Sequence, residues 1–197
     1  MNKQFSVESD LFGERDRPAG FVYRDNVISR AEETELLESF SVLPFKPFEF
    51  RGFLGNRRVV SFGWRYDFSG RALRESDPPP DFLLALRAKA ADFSGVPEAE
   101  LQQMSVSEYS PGAGIGWHRD KANFKDVVAF SFASPCKLRF RREAGTAWER
   151  KSIQVQPRSA YLLRGEVRDL WSHSIPPVDR LRYSVTFRNF ADSKQPG

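Results

Sequence analysis

Two histidines and one aspartate are the residues of this sequence best suited to chemistry. His118 and His173 are its only histidines, and Asp120 follows the first by two positions. Residues two apart on a strand share a face, so His118 and Asp120 could reach one ion that His173 completes. Two imidazoles and a carboxylate on one side of Fe(II) leave three positions for a bidentate oxoacid and dioxygen. The pattern predicts such a metal centre, although chance or core packing of the histidines would also explain it.

Two arginines near the C-terminal end predict where an anion binds. Arg182 and Arg188 stand six positions apart in the alternating run Arg182-Tyr-Ser-Val-Thr-Phe-Arg188, so a strand would place both guanidinium groups on one face. Burying this pair is unfavourable unless an anion meets it, and guanidinium groups bind carboxylates bidentately. A dicarboxylate is therefore a candidate ligand. The alternative is an exposed edge strand with solvated arginines.

The elements that must position these residues lie mainly in the second half of the chain. Beyond residue 100, short runs such as VVAFSF, KLRFRR and SIQVQ alternate with turn residues, which predicts many short strands. Earlier, Ser29 with glutamates three and four positions later indicates a capping box and a helix over 29–41. Apolar residues at helical spacing indicate a second helix over 81–94. The predicted fold class is α+β, mainly β, as a sandwich or jelly roll flanked by N-terminal helices.

A segment rich in aromatic residues and arginine lies between the two helices. Residues 48–68 read FEFRGFLGNRRVVSFGWRYDF, which predicts short strands joined by a turn at Gly55-Asn56, within a candidate hairpin flap over 45–75. Arg57, Arg58 and Arg65 could neutralise phosphates there. The alternative is an ordinary hairpin whose aromatic side chains fill a small hydrophobic core.

Composition limits the class of protein. A chain of 197 residues fits one domain, which we place over 21–190, between a poorly ordered segment 1–20 and a disordered tail 191–197. The 30 basic and 26 acidic residues give a net charge of +4, which fits a polyanionic partner without requiring one. Cys136 is the only cysteine, so the sequence excludes an intramolecular disulfide and a cysteine-based zinc or iron–sulfur site.

The sequence contains no signal of export or membrane insertion. The N-terminal residues lack the apolar run of a secretory signal, and nowhere do about 18 uncharged apolar residues occur in series. Together with the lone cysteine, this predicts a soluble, cytoplasmic protein without membrane contact.

The order of these motifs resembles the AlkB-like dioxygenases. The resemblance is strong over residues 100–190 and covers the preceding 80 in outline. It rests on Tyr109-Ser-Pro-Gly-Ala, His118-Arg-Asp120-Lys, Trp171-Ser-His173-Ser-Ile and Arg182-Tyr-x-x-Thr-x-Arg188, in that order. It implies a double-stranded β-helix, also called a jelly roll, with His118, Asp120 and His173 as ligands of Fe(II). It also implies 2-oxoglutarate and O2 as cosubstrates.

The same resemblance implies how the cosubstrate is held. Arg182 would bind the distal carboxylate of 2-oxoglutarate, while Arg188 and Tyr109 would bind or orient it, with Arg188 near the keto-acid end. Ser107 and Ser184 stand where the family usually has asparagine. Both hydroxyls can form hydrogen bonds over a shorter reach, so the contacts at these positions depart from the family pattern. The alternatives are a solvated strand-end arginine and a core tyrosine.

The resemblance also bears on the substrate. Trp64 and Tyr66 fall where the family places aromatic residues that stack on a flipped base. Ala122 replaces an acidic residue of the base-repair members, so recognition of a base amino group there is lost or relocated. The function implied is removal of alkyl groups from bases such as 1-methyladenine or 3-methylcytosine in single-stranded DNA or RNA, by a monomeric enzyme. The alternatives are the same chemistry on tRNA or a protein side chain, and a non-catalytic jelly-roll binding module.

Two further basic clusters border the predicted site. They are Arg139-Phe-Arg-Arg142 and Glu149-Arg-Lys151, on candidate strands with alternating orientation. We interpret them first as a solvated sheet face and second as a nucleic-acid groove.

Overall fold

The two predicted helices begin and end at their capping residues. The computed structural model describes residues 17–50, 53–67 and 72–191. Helix α1 spans Arg30–Ser41, and its N-cap Ser29 forms the predicted capping box with Glu32. Helix α2 spans Asp81–Ser94 and ends at Gly95, whose φ of 70° is the left-handed conformation that favours glycine. Both helix predictions are confirmed.

The strands form two antiparallel sheets. The larger sheet has the order β1-β10-β7-β12-β5-β3-β2, with β4 paired to β3, and the smaller has the order β6-β11-β8-β9. A short helix, α3 (Glu166–Asp169), connects β10 to β11. The strands are β1 (Phe21–Arg24), β2 (Lys46–Phe50), β3 (Phe53–Asp67), β4 (Ala72–Glu75), β5 (Gln103–Tyr109), β6 (Ile115–His118), β7 (Phe124–Phe132), β8 (Cys136–Ala144), β9 (Ala147–Val155), β10 (Ser159–Leu163), β11 (Ser172–Ile175) and β12 (Arg182–Phe190).

The larger sheet separates two hydrophobic cores. One core packs α1 and α2 against the sheet through residues such as Phe40, Leu83 and Phe187. The other lies between the two sheets and includes Leu138 and Trp171. Because successive side chains of a strand face opposite ways, β12 turns its apolar residues to the helices and its arginines to the space between the sheets. The alternation of side chains along β12 therefore decides which of its residues face the space between the sheets.

The predicted turn at Gly55-Asn56 is wrong. Strand β2 pairs with β3 from Phe50↔Phe53 outward, so residues 51–52 connect the strands, and they lie outside the described residues. Gly55 and Asn56 belong to β3 itself. The sequence pattern missed this because a Gly-Asn pair is also tolerated inside a strand beside a register shift. The central part of β3, residues 58–63, pairs with β5 as a member of the larger sheet.

The ends of the chain lie largely outside the described residues. This applies to residues 1–16 and 192–197, and so to most of the segments predicted to be poorly ordered. In the part of the chain that the structure covers, no helix combines the length and apolar character needed to cross a bilayer.

Candidate active site

The three residues predicted as metal ligands come together. One ligand atom from each of His118, Asp120 and His173 lies within 4.8 Å of the other two. His173 Nε2 is 3.6 Å from Asp120 Oδ2, and the two imidazole ring centroids are 4.2 Å apart. These distances let one ion bind all three side chains. The donor set, two imidazoles and one carboxylate, is the facial set that suits Fe(II).

Sheet register explains why residues 55 positions apart meet. His173 on β11 is the direct cross-strand partner of His118 on β6, so both side chains project from the same face of the smaller sheet. His118 Nδ1 lies 2.9 Å from the backbone oxygen of Gly116. A donated hydrogen bond there places the proton on Nδ1 and leaves Nε2 free to bind a metal.

Burial and neighbouring charges set the protonation states. Burial lowers the pKa of His118 and, with the adjacent His118, lowers the pKa of His173 to about 3. Burial alone would raise the pKa of Asp120, but the Arg188 guanidinium and the two histidines hold it well below its usual range. Neutral imidazoles beside an ionised carboxylate are the forms that bind a divalent metal.

Arg188 is tied to the metal ligands. Its Nη2 donates to Asp120 Oδ1 at 3.1 Å, and its Nη1 donates to Gln103 Oε1 at 2.7 Å and Thr186 Oγ1 at 3.0 Å. The guanidinium therefore fixes the orientation of the Asp120 carboxylate. Arg188 therefore lies beside the three candidate metal ligands, and its contact with the keto-acid end of the cosubstrate stays a prediction.

Arg182 has the opposite character. It is fully buried, its Nε donates to Ser131 Oγ at 3.1 Å, and both Nη atoms have no hydrogen-bond partner in the described part of the protein. A buried guanidinium with two unpaired nitrogens is strongly unfavourable without an anion. A carboxylate binding both nitrogens would satisfy them. Arg182 thus fits the distal carboxylate of 2-oxoglutarate.

Serine side chains lie on the face of the larger sheet between Arg182 and Arg188. Ser184 of β12 is paired in register with Ser107 of β5 and Ser131 of β7, and Ser107 and Ser184 line the cavity. Tyr109 also lines it, with its ring centroid 5.0 Å from Arg182 Cζ. Tyr109, Ser107 and Ser184 therefore line the cavity, and their contacts with the cosubstrate stay predictions.

One cavity of about 570 Å³ connects the site to the flap segment. Its lining includes His118, Asp120 and His173, which we call the metal end, and Phe48 and Arg57 of the hairpin, which we call the flap end. The two parts adjoin, since Arg57 Cζ lies 5.8 Å from the ring centroid of Tyr109. The volume is within the range of about 300–1,000 Å³ that is usual for small-molecule sites. The cavity can therefore hold a cosubstrate together with a part of a second molecule.

The two neighbouring arginines of β3 have different surroundings. Arg57 lines the cavity, with its Cζ 4.3 Å from the centroid of Phe48. Arg58 instead donates through Nε and Nη2 to the carboxylate of Glu108, each bond 2.8 Å long. Adjacent strand residues face opposite sides, so only one of the two can line the cavity. Arg57 therefore lines the cavity and Arg58 does not, and the phosphate contacts predicted for both stay predictions.

Among the described side chains, no other aromatic or basic residue predicted to bind the substrate is found in the cavity lining. Trp64 does not line the cavity among the described residues; its ring packs edge-on against Phe190 at 6.0 Å, so core packing prevails there. The side chains of Arg65 and Tyr66 lie outside the described residues. Ala122 is exposed and offers no polar side-chain atom.

Three residues of the site were missed in the sequence. Ser131 holds Arg182, and burial raises the pKa of the cavity-lining Tyr161 near the same guanidinium. Ser131 lies in the run VVAFSF and Tyr161 in the run SAYLL. Alternation along these strands indicates that both side chains face the space between the sheets. Arg168 donates to the backbone oxygens of Lys121 and Phe124, which follow the ligand Asp120. No local pattern marks Arg168, because its partners are backbone atoms distant in sequence.

Comparison with known proteins decides the family. The model of the 2OG-Fe(II) oxygenase superfamily matches residues 20–188. The chain belongs to this superfamily. It is an AlkB-like dioxygenase that uses Fe(II), 2-oxoglutarate and O2, as the order of its motifs predicted.

Several curated relatives of this dioxygenase are AlkB homologues. The Alkylated DNA repair protein ALKBH8 homolog of Arabidopsis thaliana is 28% identical over 162 residues, which cover 69% of this chain and 47% of that protein. The tRNA (carboxymethyluridine(34)-5-O)-methyltransferase ALKBH8 of Mus musculus is 27% identical, over 87% of this chain and 26% of its own length. The RNA demethylase ALKBH9B of Arabidopsis thaliana is 27% identical, with 71% and 31% covered. The chain spans only a quarter to a half of these relatives.

Solved structures confirm the jelly-roll fold of this dioxygenase. OsALKBH1 superposes with a TM-score of 0.66 at 14% identity, over 88% of this chain and 97% of that one. A prolyl hydroxylase from Trichoplax adhaerens, in complex with a hypoxia inducible factor peptide, gives a TM-score of 0.61 at 14% identity, over 89% and 85%. The predicted fold class is confirmed.

Proposed function

We propose that this dioxygenase removes N-alkyl groups oxidatively from bases in single-stranded nucleic acid, with RNA as the first candidate. The observation that carries the proposal is one cavity lined both by the three candidate metal-binding side chains and by Arg57, whose Cζ lies 4.3 Å from the ring centroid of Phe48. A flipped base has flat apolar faces and an anionic strand attached. An aromatic and cationic flap end next to an oxidising centre suits such a substrate.

The metal end would supply the oxidation. We assign His118, Asp120 and His173 as the ligands of Fe(II), and Arg182 as the partner of the distal carboxylate of 2-oxoglutarate. Bound iron with 2-oxoglutarate and O2 supplies the hydroxylation of the alkyl C–H bond, with succinate and CO2 as co-products and an aldehyde released from the hydroxylated substrate.

The protein's own contribution is positioning. Arg188 holds the Asp120 carboxylate, and the Gly116 carbonyl holds the His118 ring, so the ligand atoms are oriented before the metal binds. Ser107, Ser184 and Tyr109 are the candidate contacts along the cosubstrate. No side-chain general base is needed.

The flap end would hold the substrate. Arg57 is the candidate phosphate contact, and Phe48 beside it is the candidate stacking surface. Trp64 and Arg58 are not part of this proposal, because they pack on Phe190 and pair with Glu108. Arg65 and Tyr66 stay predictions.

The curated relatives favour RNA over DNA. One is named an RNA demethylase and another carries tRNA in its name, whereas a third is named for DNA repair. We therefore place single-stranded RNA first and single-stranded DNA second. The expectations of a cytoplasmic location and a monomeric state stay predictions.

Mass spectrometry of oligonucleotides tests the proposal. Matched RNA and DNA strands with 1-methyladenine or 3-methylcytosine are incubated with the enzyme, Fe(II), 2-oxoglutarate and O2. We expect each methylated RNA to lose the mass of one CH2 unit and an equimolar amount of succinate to form. Asp120→Ala is the control without the metal ligand. Succinate formation without mass change on any base would contradict the proposal.

A second candidate is hydroxylation of a tRNA base without release of the modification. It is favoured by Ala122, which offers no acidic group to recognise the amino group of a damaged base. It is also favoured by the relative whose name refers to a tRNA uridine. In the same mass measurement on tRNA, this reaction would add one oxygen atom rather than remove a CH2 unit.

A further inference from the structure

The smaller sheet carries a basic, aromatic surface on the side that faces away from the larger sheet. On β8, Leu138 and Phe140 are buried between the sheets, so the residues at odd positions project outward. The partners of β8 on β9 continue the same surface through the pairs Arg141↔Arg150 and Glu143↔Trp148. We call this surface the outer face. Its aromatic and basic residues are Trp117, Lys137, Arg139, Arg141, Trp148 and Arg150.

A three-layer stack lies along the outer face. Arg141 Cζ is 4.4 Å from the ring centroid of Trp117 and 4.5 Å from that of Trp148. Arg139 Cζ lies 5.1 Å from Trp117 on the same side. Trp148 remains 40% exposed at the end of the stack. Such a row of flat groups is a preformed stacking platform, since a further planar group can continue it.

The charges of the outer face are not neutralised by the fold. Within the described ranges, Lys137, Arg139, Arg141 and Arg150 have no carboxylate within the 4.0 Å of an ion pair. Arg141 and Arg150 are direct cross-strand partners, an arrangement of like charges that is unfavourable by itself. The buried Nε of Arg141 also has no hydrogen-bond partner there.

The inner side of the same two strands provides the contrast. Arg142 projects inward and donates to Glu149 at 2.7 Å and to Glu166 at 2.6 Å. The fold therefore pairs the inward Arg142 with two carboxylates, whereas the outward cations of the same strands lie next to one another. A surface with this excess of positive charge attracts a polyanion.

The outer face is continuous with the cavity. Trp117, the first indole of the stack, lines the cavity and directly precedes the candidate ligand His118. On β8, Lys137, Arg139 and Arg141 alternate along the strand, which spaces their attachment points by about 7 Å. A row of cations beside indole rings fits a flexible strand of phosphates and bases.

We propose that the outer face binds the single-stranded nucleic acid on the flank of the base that enters the cavity. In this arrangement Arg139, Arg141 and Arg150 contact phosphates and Trp148 stacks on a neighbouring base. The inference rests on the proposed function and deepens it. The proposed arrangement predicts that the enzyme binds a strand several nucleotides long more tightly than an isolated nucleoside.

Binding of an unmethylated oligonucleotide tests the outer face without any turnover. Fluorescence anisotropy with a labelled single-stranded RNA of twelve nucleotides is measured over a series of salt concentrations. We expect Trp148→Ala to raise the Kd by about 5- to 150-fold, the range for loss of one stacked base. We expect Arg150→Gln to reduce the slope of log K against log salt by about 0.7. Arg30→Gln, which removes an exposed charge from α1, is the matched control and should change neither.

Thermal unfolding and a second variant distinguish loss of RNA binding from loss of folding. The thermal unfolding midpoint verifies that each variant folds, and Arg141→Lys keeps the charge while removing the planar group from between the two indoles. Wild-type Kd values for Trp148→Ala and Arg141→Lys together, or equal losses in Arg30→Gln, would overturn the outer face as a binding surface. Tight RNA binding that depends on the outer face without demethylation of any base would contradict the proposed function and leave this inference standing. Failure of the wild-type protein to bind RNA, with binding of an acidic protein instead, would overturn it.

Discussion

The two ends of the cavity are built differently. At the metal end, strand register fixes each side chain: His118 opposes His173, and Arg182, Ser184 and Arg188 share one face of β12. At the flap end, Phe48 and Arg57 lie on the β2–β3 hairpin at the edge of the larger sheet. The chemical step requires side chains that the sheets hold in fixed positions. Substrate specificity can instead be altered by changes in a hairpin at the edge of a sheet.

The two arginines of β12 differ in how the protein bonds their guanidinium groups. Both Nη atoms of Arg188 have partners in the protein, including the Asp120 carboxylate, and only its Nε lacks one among the described residues. Arg182 has two nitrogens left for a partner from outside. A paired buried charge is structural and an unpaired one indicates a ligand, and this difference can be measured.

The largest effect is expected for a metal ligand. Asp120→Ala should lower succinate formation by about a thousandfold or more, because one ligand and the partner of Arg188 are lost together. The measurement is 2-oxoglutarate turnover with Fe(II). Asp126→Asn is the matched control, since Asp126 is a buried aspartate that pairs with Arg164 instead. Turnover that persists in Asp120→Ala would remove the metal end from the chemistry.

The next effect separates the unpaired arginine from a paired one. Arg182→Met should raise the KM for 2-oxoglutarate by roughly 100-fold or more, because two charge-assisted hydrogen bonds disappear. Without ligand its unfolding midpoint should equal or exceed that of the wild type, since an unpaired buried charge is removed.

Arg168→Met is the matched comparison for Arg182→Met. Arg168 is also buried, but its Nη2 donates to two backbone oxygens, so its loss leaves both oxygens unsatisfied and should lower the free energy of unfolding by about 3 kcal/mol. Thermal unfolding with and without metal and 2-oxoglutarate measures both variants. A destabilised Arg182→Met protein that is still stabilised by 2-oxoglutarate would show that Arg182 is structural.

A smaller effect separates the two neighbouring arginines of the flap end. Arg57→Gln should raise the KM for a methylated oligonucleotide about tenfold, because a phosphate contact in the cavity is lost. Arg58→Gln should leave that KM nearly unchanged and instead lower stability, because the buried Glu108 loses its charged partner and keeps only hydroxyl donors. Steady-state kinetics and thermal unfolding of both variants test this. Equal increases in KM would place Arg58 at the substrate.

The smallest effect lies on α1, far from either end. Side-chain contact with Lys89 and the backbone of Ser29 lower the pKa of Glu32 to about 2. A lowered carboxyl pKa stabilises the fold above the unfolded value near 4.5, and this stabilisation is lost as pH falls towards 2. Glu32→Gln should therefore be less stable than the wild type at pH 6 and equal to it near pH 2. Denaturant unfolding at both pH values checks this, and turnover should not change.

Period-two alternation predicted part of the metal end. It placed Arg182 and Arg188 on one face of a strand, as β12 has them. Asp120 follows the end of β6, so its carboxylate approaches His118 and His173 from a loop and not from the strand face that the sequence predicted. The meeting of His118 with His173 could not come from spacing, since it depends on β6 lying next to β11. Family resemblance supplied that step.

The flap end was harder to predict because its hairpin departs from regular strand geometry at a register shift and at Gly63. Arg57 and Arg58 are adjacent on one strand, so period two already allowed only one of them in the cavity. Trp64 follows Gly63, whose φ of 71° departs from strand geometry, and its ring reaches Phe190 instead of the cavity. A local pattern cannot predict such a tertiary contact.

A crystal structure obtained without oxygen, with Mn(II) replacing the iron and with 2-oxoglutarate, tests the central claim most directly. We expect one metal ion bound by His118, Asp120 and His173, and the distal carboxylate of 2-oxoglutarate on the two Nη atoms of Arg182. A metal bound elsewhere, or a cosubstrate whose distal carboxylate leaves Arg182 unpaired, would contradict it.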